Sequence, residues 1–266
     1  MKLTLLWGTI AVVLWCSPAH AQQPFYTDDP AVTARGKFHF EFFNEFDALQ
    51  GALFPNLRQN TANYRLNYGL PWNLEIDADA PYLGILRSKA AQQRNSFGPG
   101  DTNTGIKWNF RQEQDRSPIP AMAVTFYIEF PTGDNKRQLG SGLRDYWLNG
   151  IAQKYISDVT RVTVNAGLLF AGNTSTGLLG IQTAHGRVFT ASTSVIRRFT
   201  RRLELGGEIY TGVTGNLDIA RSQLQGLIGG KYELRKGLSL DFGVLGGKYV
   251  ASPRLGGQLG FSVDLP

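Results

Sequence analysis

Glu75, Asp77 and Asp79 stand at alternate positions of one short segment, and Arg65 and Lys107 lie in the segments before and after it. Carboxylates spaced two apart share a face only on an extended backbone, because successive strand side chains point to opposite sides. Such a stripe cannot be left unpaired against a dry apolar core. Two kinds of chemistry are open to it. One is a transverse field that orients a polar solute in an aqueous bore. The other is an ion-pair network with Arg65 and Lys107 that stiffens a wall, since ionisable groups at membrane depth face cavities and pair. The network is the simpler reading, and the two are compatible.

Other residues with chemical potential are few. A membrane-embedded hydrolase needs a serine beside a histidine and a third group to orient it. Of the three histidines, His20 falls in an amino-terminal leader, which leaves His39 and His185. No serine adjoins His39, no Gly-x-Ser-x-Gly segment exists, and His185 stands near Ser175, Ser192 and Ser194 at no spacing a triad uses. Two histidines without a cysteine also supply too few ligands for a structural zinc site. The sequence is therefore read as carrying no catalytic residue, no metal and no cofactor. Asp101 and Asp134 could bind a cation, but Gly-Pro-Gly-Asp and Pro-Thr-Gly-Asp are the chemistry of tight turns. Arg197-Arg198-Phe199-Thr200-Arg201-Arg202 is the densest basic run. Solvation as a turn accounts for it most simply; contact with anionic phospholipid headgroups or the periplasmic matrix is the alternative.

The elements that position these residues read in period two. Phe38, Phe40, Phe42 and Phe46 alternate with Lys37, His39, Glu41 and Glu45. Tyr64, Leu66, Tyr68 and Leu70 alternate with Asn63, Arg65, Asn67 and Gly69. After a tight turn at Pro71-Trp72-Asn73, residues 74–82 set Leu74, Ile76, Ala78, Ala80 and Tyr82 against Glu75, Asp77 and Asp79. The same grammar recurs over 106–110, 121–130, 161–170, 203–211, 239–244 and 254–265, and more weakly over 143–155, 186–197 and 221–232. That makes twelve strands. Short connections fall near 71–73, 156–160, 198–202 and 233–238, and longer ones near 47–60, 84–101, 131–142 and 172–186. Residues 111–119 are longer than a tight turn and break this rule.

Lys2, the apolar run 3–15 and Ala19-His20-Ala21 have the form of a cleaved signal peptide. Residues 1–21 are read as that signal and residues 22–266 as a single domain. Cleavage removes the chain's only cysteine, Cys16, which suits an oxidising envelope. Lipidation at Cys16 is disfavoured, because Trp15 stands where a small residue is needed. The charged fraction of 18% is below the roughly 25% of an ordinary soluble domain. No interior apolar run is long enough for a membrane helix. A net charge of +6, with no Lys/Arg cluster of the kind nucleic-acid proteins usually show, argues against a nucleic-acid partner.

Two architectures satisfy alternating faces. A soluble sandwich turns the apolar faces together; a transmembrane barrel turns them to lipid and encloses the polar ones. Strands of nine or more residues suit a tilted bilayer span. Tyr64, Tyr82, Trp108, Phe130, Phe170 and Phe199 lie near strand ends, as interfacial girdles do. Hydrocarbon also forces a sheet to close, because each unpaired backbone group there costs several kcal/mol. The expected fold is all-β, an antiparallel up-and-down transmembrane barrel of twelve strands with short periplasmic turns and longer outer loops. The end of the chain, Val263-Asp264-Leu265-Pro266, lacks the terminal aromatic of many such barrels. The polar faces supply candidate lumen-lining residues: His39, Glu41, Arg65, Glu75, Asp77, Asp79, Lys107, Glu129, Arg161, Glu204 and Glu208.

Two segments carry a family resemblance. Phe97-Gly98-Pro99-Gly100-Asp101-Thr102 leads into Gly105-Ile106-Lys107-Trp108, and Phe130-Pro131-Thr132-Gly133-Asp134-Asn135 precedes Leu139-Gly140-Ser141-Gly142. With the leader and the Gly-rich closing strands, these resemble the MetA-pathway phenol-degradation family of bacterial outer-membrane barrels, whose members are often called transporters. The resemblance spans nearly the whole mature chain. It implies outer-membrane location and barrel architecture, and brings no catalytic residues. The functional expectation is a passive channel for a small solute, aromatic or apolar, with outer-membrane lipid as the surroundings. A structural or binding barrel with a filled lumen stays open beside it, with an outer-membrane lipid hydrolase third.

Overall fold

The computed structural model describes residues 24–50, 56–88, 93–114, 117–171, 186–214, 223–249 and 251–266. The leader, Cys16, Ser175, His185 and the long connection 172–185 lie outside the described residues. Among the described residues thirteen strand segments run in chain order: β1 (Phe38–Ala48), β2 (Arg58–Leu70), β3 (Leu74–Leu86), β4 (Asn95–Pro99), β5 (Thr102–Arg111), β6 (Ala121–Phe130), β7 (Asp145–Ser157), β8 (Thr160–Ala171), β9 (Gly186–Arg198), β10 (Leu203–Thr214), β11 (Gln223–Arg235), β12 (Leu238–Gly247) and β13 (Leu255–Leu265). β4 pairs with the far half of β3 and β5 with its near half, so the two are halves of one barrel strand. Each of the resulting twelve strands pairs antiparallel with its sequence neighbours, and β1 pairs with β13, which closes the sheet. No helix among the described residues is long and apolar enough to cross a membrane; the crossing is made by strands.

The alternation of the sequence becomes the two sides of this wall. Phe38, Leu66, Phe126 and Val164 point outward and are exposed, whereas Glu75 and Asp77 are 3% and 1% exposed on the inside. A protein that exposes so many large apolar side chains while burying carboxylates is inside out relative to a soluble domain, and hydrocarbon is the solvent that stabilises it. Outward aromatics pack in pairs across strands, as with Phe38 and Tyr68 at 4.6 Å and Phe42 and Tyr64 at 5.0 Å between ring centroids.

The ends of the barrel differ as expected. The turns Pro71–Asn73, 158–159, 199–202 and 236–237 are short and share one end, the periplasmic one by the usual orientation of such barrels. Trp72 and Asn73 take left-handed backbone angles there, φ 62° and 57°, and Trp72 is 82% exposed. Three register shifts, between Asn109 and Arg111, Tyr155 and Ser157, and Glu233 and Arg235, cluster at this same end, where bulges usually terminate pairing.

One expected boundary needs correction. Residues 84–101 are not a single long loop. β3 extends to Leu86 and β4 returns against it, with Leu83 opposite Gly98 and Ile85 opposite Ser96. Apolar residues on the inward phase hid this extension, because the polar half of the pattern ends at Asp79. β2 likewise begins at Arg58, five residues before the expected start, where Gln59 and Thr61 keep the inward phase polar but Asn60 and Ala62 supply no apolar outward face.

Candidate functional site

The bore is occupied by the chain's own amino-terminal segment. Residues 24–34 enter no barrel strand and cross the lumen from the β2–β5 wall to the β9–β12 wall. The segment meets the wall beside β2: Arg35 bridges Gly69, the Gly36 amide donates to the Gly69 carbonyl at 2.8 Å, and the Gly69 amide donates to the Lys37 carbonyl at 3.1 Å. A β-carbon on Gly69 would lie 2.3 Å from the carbonyl oxygens of Thr33 and Ala34. Glycine is therefore required for the close approach at this position.

Further in, the wall residues read from the sequence hold the segment. Lys107 Nζ lies 2.8 Å from Asp28 Oδ1 and 3.7 Å from Glu75 Oε1, and donates to the Ala31 carbonyl at 3.4 Å. Glu75 also accepts the Thr33 amide, and Asn109 donates to the Pro30 carbonyl. Across the bore, Glu208 accepts the amides of Tyr26 and Thr27 at 2.9 and 2.8 Å and the Thr27 hydroxyl at 2.7 Å. The Tyr26 hydroxyl donates to Glu45 at 2.6 Å. Burial, aided by the Glu45 and Asp47 carboxylates, holds that phenol well above its usual pKa, so it stays a donor. Phe25 is buried against inward-facing Ile196, Leu227 and Leu245. Burial pushes the Asp28 carboxyl up to about 6, with Lys107 opposing the rise.

The other candidate residues fall into separate polar groups around the wall. Arg65 Nε donates to Asp79 Oδ1 at 2.7 Å, and its Nη1 lies 3.9 Å from Glu41. Glu41 is 3.2 Å from His39, whose Nδ1 lies 2.6 Å from Asp264. Asp77 accepts the Tyr127 hydroxyl at 2.6 Å. Arg161 pairs with Glu204 at 2.8 Å, and with Phe25, Thr27, Asp29 and Lys231 they line a small recess on the far flank of the segment. Glu129 is half-buried near the outer end of β6, away from this network. The structure thus pairs Arg65 with Asp79 and Lys107 with Glu75, while Asp77, between them on β3, is held by the Tyr127 hydroxyl.

Two features escaped the sequence. The amino-terminal segment has no period to detect; the available signal was its length, since some fifteen residues separate the expected cleavage point from the first strand. The second is an apolar layer at one side of the outer mouth, where Leu83 and Ile85 point inward and pack with Leu49, Leu57, Leu139 and Ala251. Leu139 is brought there by the β6–β7 loop, which Asp101 ties down by accepting the Gly133 and Ser141 amides at 2.8 and 2.6 Å. The Asp101 carboxylate therefore serves as a brace between loops. Asp134 accepts the Lys136 amide at 3.0 Å within its own turn.

Comparison with known proteins extends this picture. A family model described as "Putative MetA-pathway of phenol degradation" matches residues 27–265. Among solved structures, an outer membrane channel from Pseudomonas putida F1 is similar with a TM-score of 0.69 at 13% identity, covering 89% of this chain and 98% of that one. The KdgM porin in complex with disordered oligogalacturonate gives 0.56 at 9% identity, over 85% of this chain and 98% of that one. The translocator domain of autotransporter NalP from Neisseria meningitidis gives 0.52 at 12% identity, over 87% and 89%. At such identities the likeness is one of fold. A search of curated proteins found no sequence match.

Proposed function

The chain belongs to the MetA-pathway phenol-degradation family, and from that premise we propose that it is a passive outer-membrane channel for a small aromatic or apolar solute, closed by its own amino-terminal segment. One observation carries the reading: residues 24–34 fill the bore yet contribute to no barrel strand. Side-chain contacts hold them there, so the segment can leave without breaking a single strand pair. A twelve-stranded wall tilted by roughly 40° has a backbone radius of about 12 Å, enough for a small solute once the segment moves. The apolar layer of Leu83, Ile85 and Leu139 at the outer mouth sets the solute class, because it repels hydrated ions and accepts a ring or short hydrocarbon. The charged wall residues then line the path below it. Residues 1–21 act as the export signal.

A second reading rests on the same filled bore. If the segment never leaves, the protein is a structural or binding barrel. Planar-bilayer recording of the protein lacking residues 24–34 separates the two. The channel reading expects steady current, reduced on adding phenol and unchanged by glycerol. Silence from a shortened barrel that still shows heat-modifiable migration would establish the structural reading.

A further inference from the structure

Six cations gather on one arc of the periplasmic rim. Arg197, Arg198, Arg201 and Arg202 belong to the end of β9 and the β9–β10 turn; Arg235 and Lys236 belong to the end of β11 and the β11–β12 turn. The two turns are held side by side, because the Glu233 amide donates to the Arg202 carbonyl at 2.8 Å. Arg198 is fixed to the neighbouring β7–β8 turn through the Asp158 and Val159 carbonyls. All six are exposed, and among the described residues none pairs with a carboxylate. Lys154, elsewhere on this rim, is by contrast paired with Glu113 at 2.5 Å. The β2–β3 turn Pro71–Asn73 carries no charge. Arg35 and Lys37, just ahead of β1, are further exposed cations on this rim, so the six form its densest group.

Its height on the barrel identifies the environment. Beside and among the cations stand Ile156, Phe199, Tyr232 and Leu234, all exposed, which mark the edge of the hydrocarbon. Arg197 follows Val195 on the lipid-facing phase of β9 and turns its guanidinium over the Phe199 ring at 5.9 Å. That posture keeps the stem against lipid and the charge in the headgroup layer. Guanidinium groups there match phosphate oxygens in geometry and charge.

We propose that the adjoining β9–β10 and β11–β12 turns form a binding surface for anionic phospholipid of the inner leaflet, recognised through its phosphate diester and net negative charge. The surface is separate from the bore and does not depend on transport. The zwitterionic phospholipid beside it carries the same phosphate with a compensating ammonium, so the surface selects for net charge.

Native mass spectrometry of the detergent-solubilised protein, titrated with phosphatidylglycerol and phosphatidylethanolamine, tests this. The wild type should retain phosphatidylglycerol in preference. The variant Arg201→Gln/Arg202→Gln/Arg235→Gln/Lys236→Gln should lose that preference, at about fivefold per cation removed. Removing four outer-end cations, Arg87→Gln/Lys136→Gln/Lys248→Gln/Arg254→Gln, should leave it intact. Raising salt should collapse the wild-type preference without any substitution. Equal retention of the two lipids by the wild type, or equal loss in both variants, would overturn the assignment. Capture of cell-wall glycan fragments by the same turn, with no lipid preference, would overturn it too.

Discussion

Lys107→Gln is the most informative single change in the bore. The ammonium is 1% exposed, 2.8 Å from Asp28 on the segment and 3.7 Å from Glu75 on the wall. Glutamine keeps the length and a donor but removes the charge, leaving two carboxylates to face each other. Removing one partner of a buried pair costs about 3–5 kcal/mol. Glu75 is fixed in β3, but Asp28 can return to water if the segment undocks. If about 3 kcal/mol of the penalty is relieved that way, the docked-to-undocked ratio falls roughly 150-fold. The chain's only cysteine is Cys16, which the expected signal cleavage removes, so Thr27→Cys, introduced into parent and variant alike because it gives up the hydroxyl contact to Glu208, reports the difference in undocking through its rate of maleimide labelling. Lys107→Gln should raise that rate by about two orders of magnitude and increase the time spent conducting in a bilayer. Lys107→Arg, which keeps the charge, should stay near the parent. The reasoning fails if a folded Lys107→Gln barrel labels and conducts within twofold of the parent, or if the arginine variant opens as widely.

Three further perturbations act on the same segment. Phe25→Ala empties the pocket formed by Ile196, Leu227 and Leu245, weakening docking by about 3 kcal/mol; faster labelling at position 27 with unchanged heat-modifiable migration is the expected outcome. Gly69→Ala places a methyl 2.3 Å from two carbonyl oxygens of the segment; the segment must lift from β2, and protease should cut within residues 24–34 of reconstituted protein faster than in the parent. Acidification should favour closure. The docked Asp28 carboxyl titrates at about 6, above its ordinary 3.8, because burial outweighs Lys107. The docked state therefore carries a penalty above pH 6, which is relieved as pH falls through that value. Conducting time should drop between pH 7 and pH 5, and a rise over that interval would contradict the assignment.

How much of this was legible in the sequence follows from what each feature answers to. The strands and their facing were legible because lipid and enclosed water lie on opposite sides of one wall, which imposes a strict period of two. Pairing of Arg65 with Asp79 and of Lys107 with Glu75 followed from adjacency, since neighbouring strands bring facing residues together. β4 was not legible, because Leu83 and Ile85 continue the inward phase as apolar residues and Pro99 and Gly100 imitate a loop. The same two side chains concealed the apolar layer, whose other members arrive from separate loops. The amino-terminal segment was silent for a deeper reason. It is held by amides and carbonyls that any residue provides, so Glu208 and Asn109 gave no hint of what they would hold. Only Phe25, Tyr26, Thr27 and Asp28 make contacts specific to their types, and four residues show no period.

Residues 24–34 lie in the bore, and on the proposed function their departure opens it. A β-carbon on Gly243 would stand 3.3 Å from Pro24 Cβ, close to the separation of roughly 3.5–4.5 Å that a disulfide spans. Current through Pro24→Cys/Gly243→Cys is therefore recorded under oxidant and then under reductant. The bond should form, the linked barrel should be silent, and reduction should restore the gating of the parent. Current that is the same before and after the bond is cut, or two thiols that never join although both label freely, would contradict the proposed function.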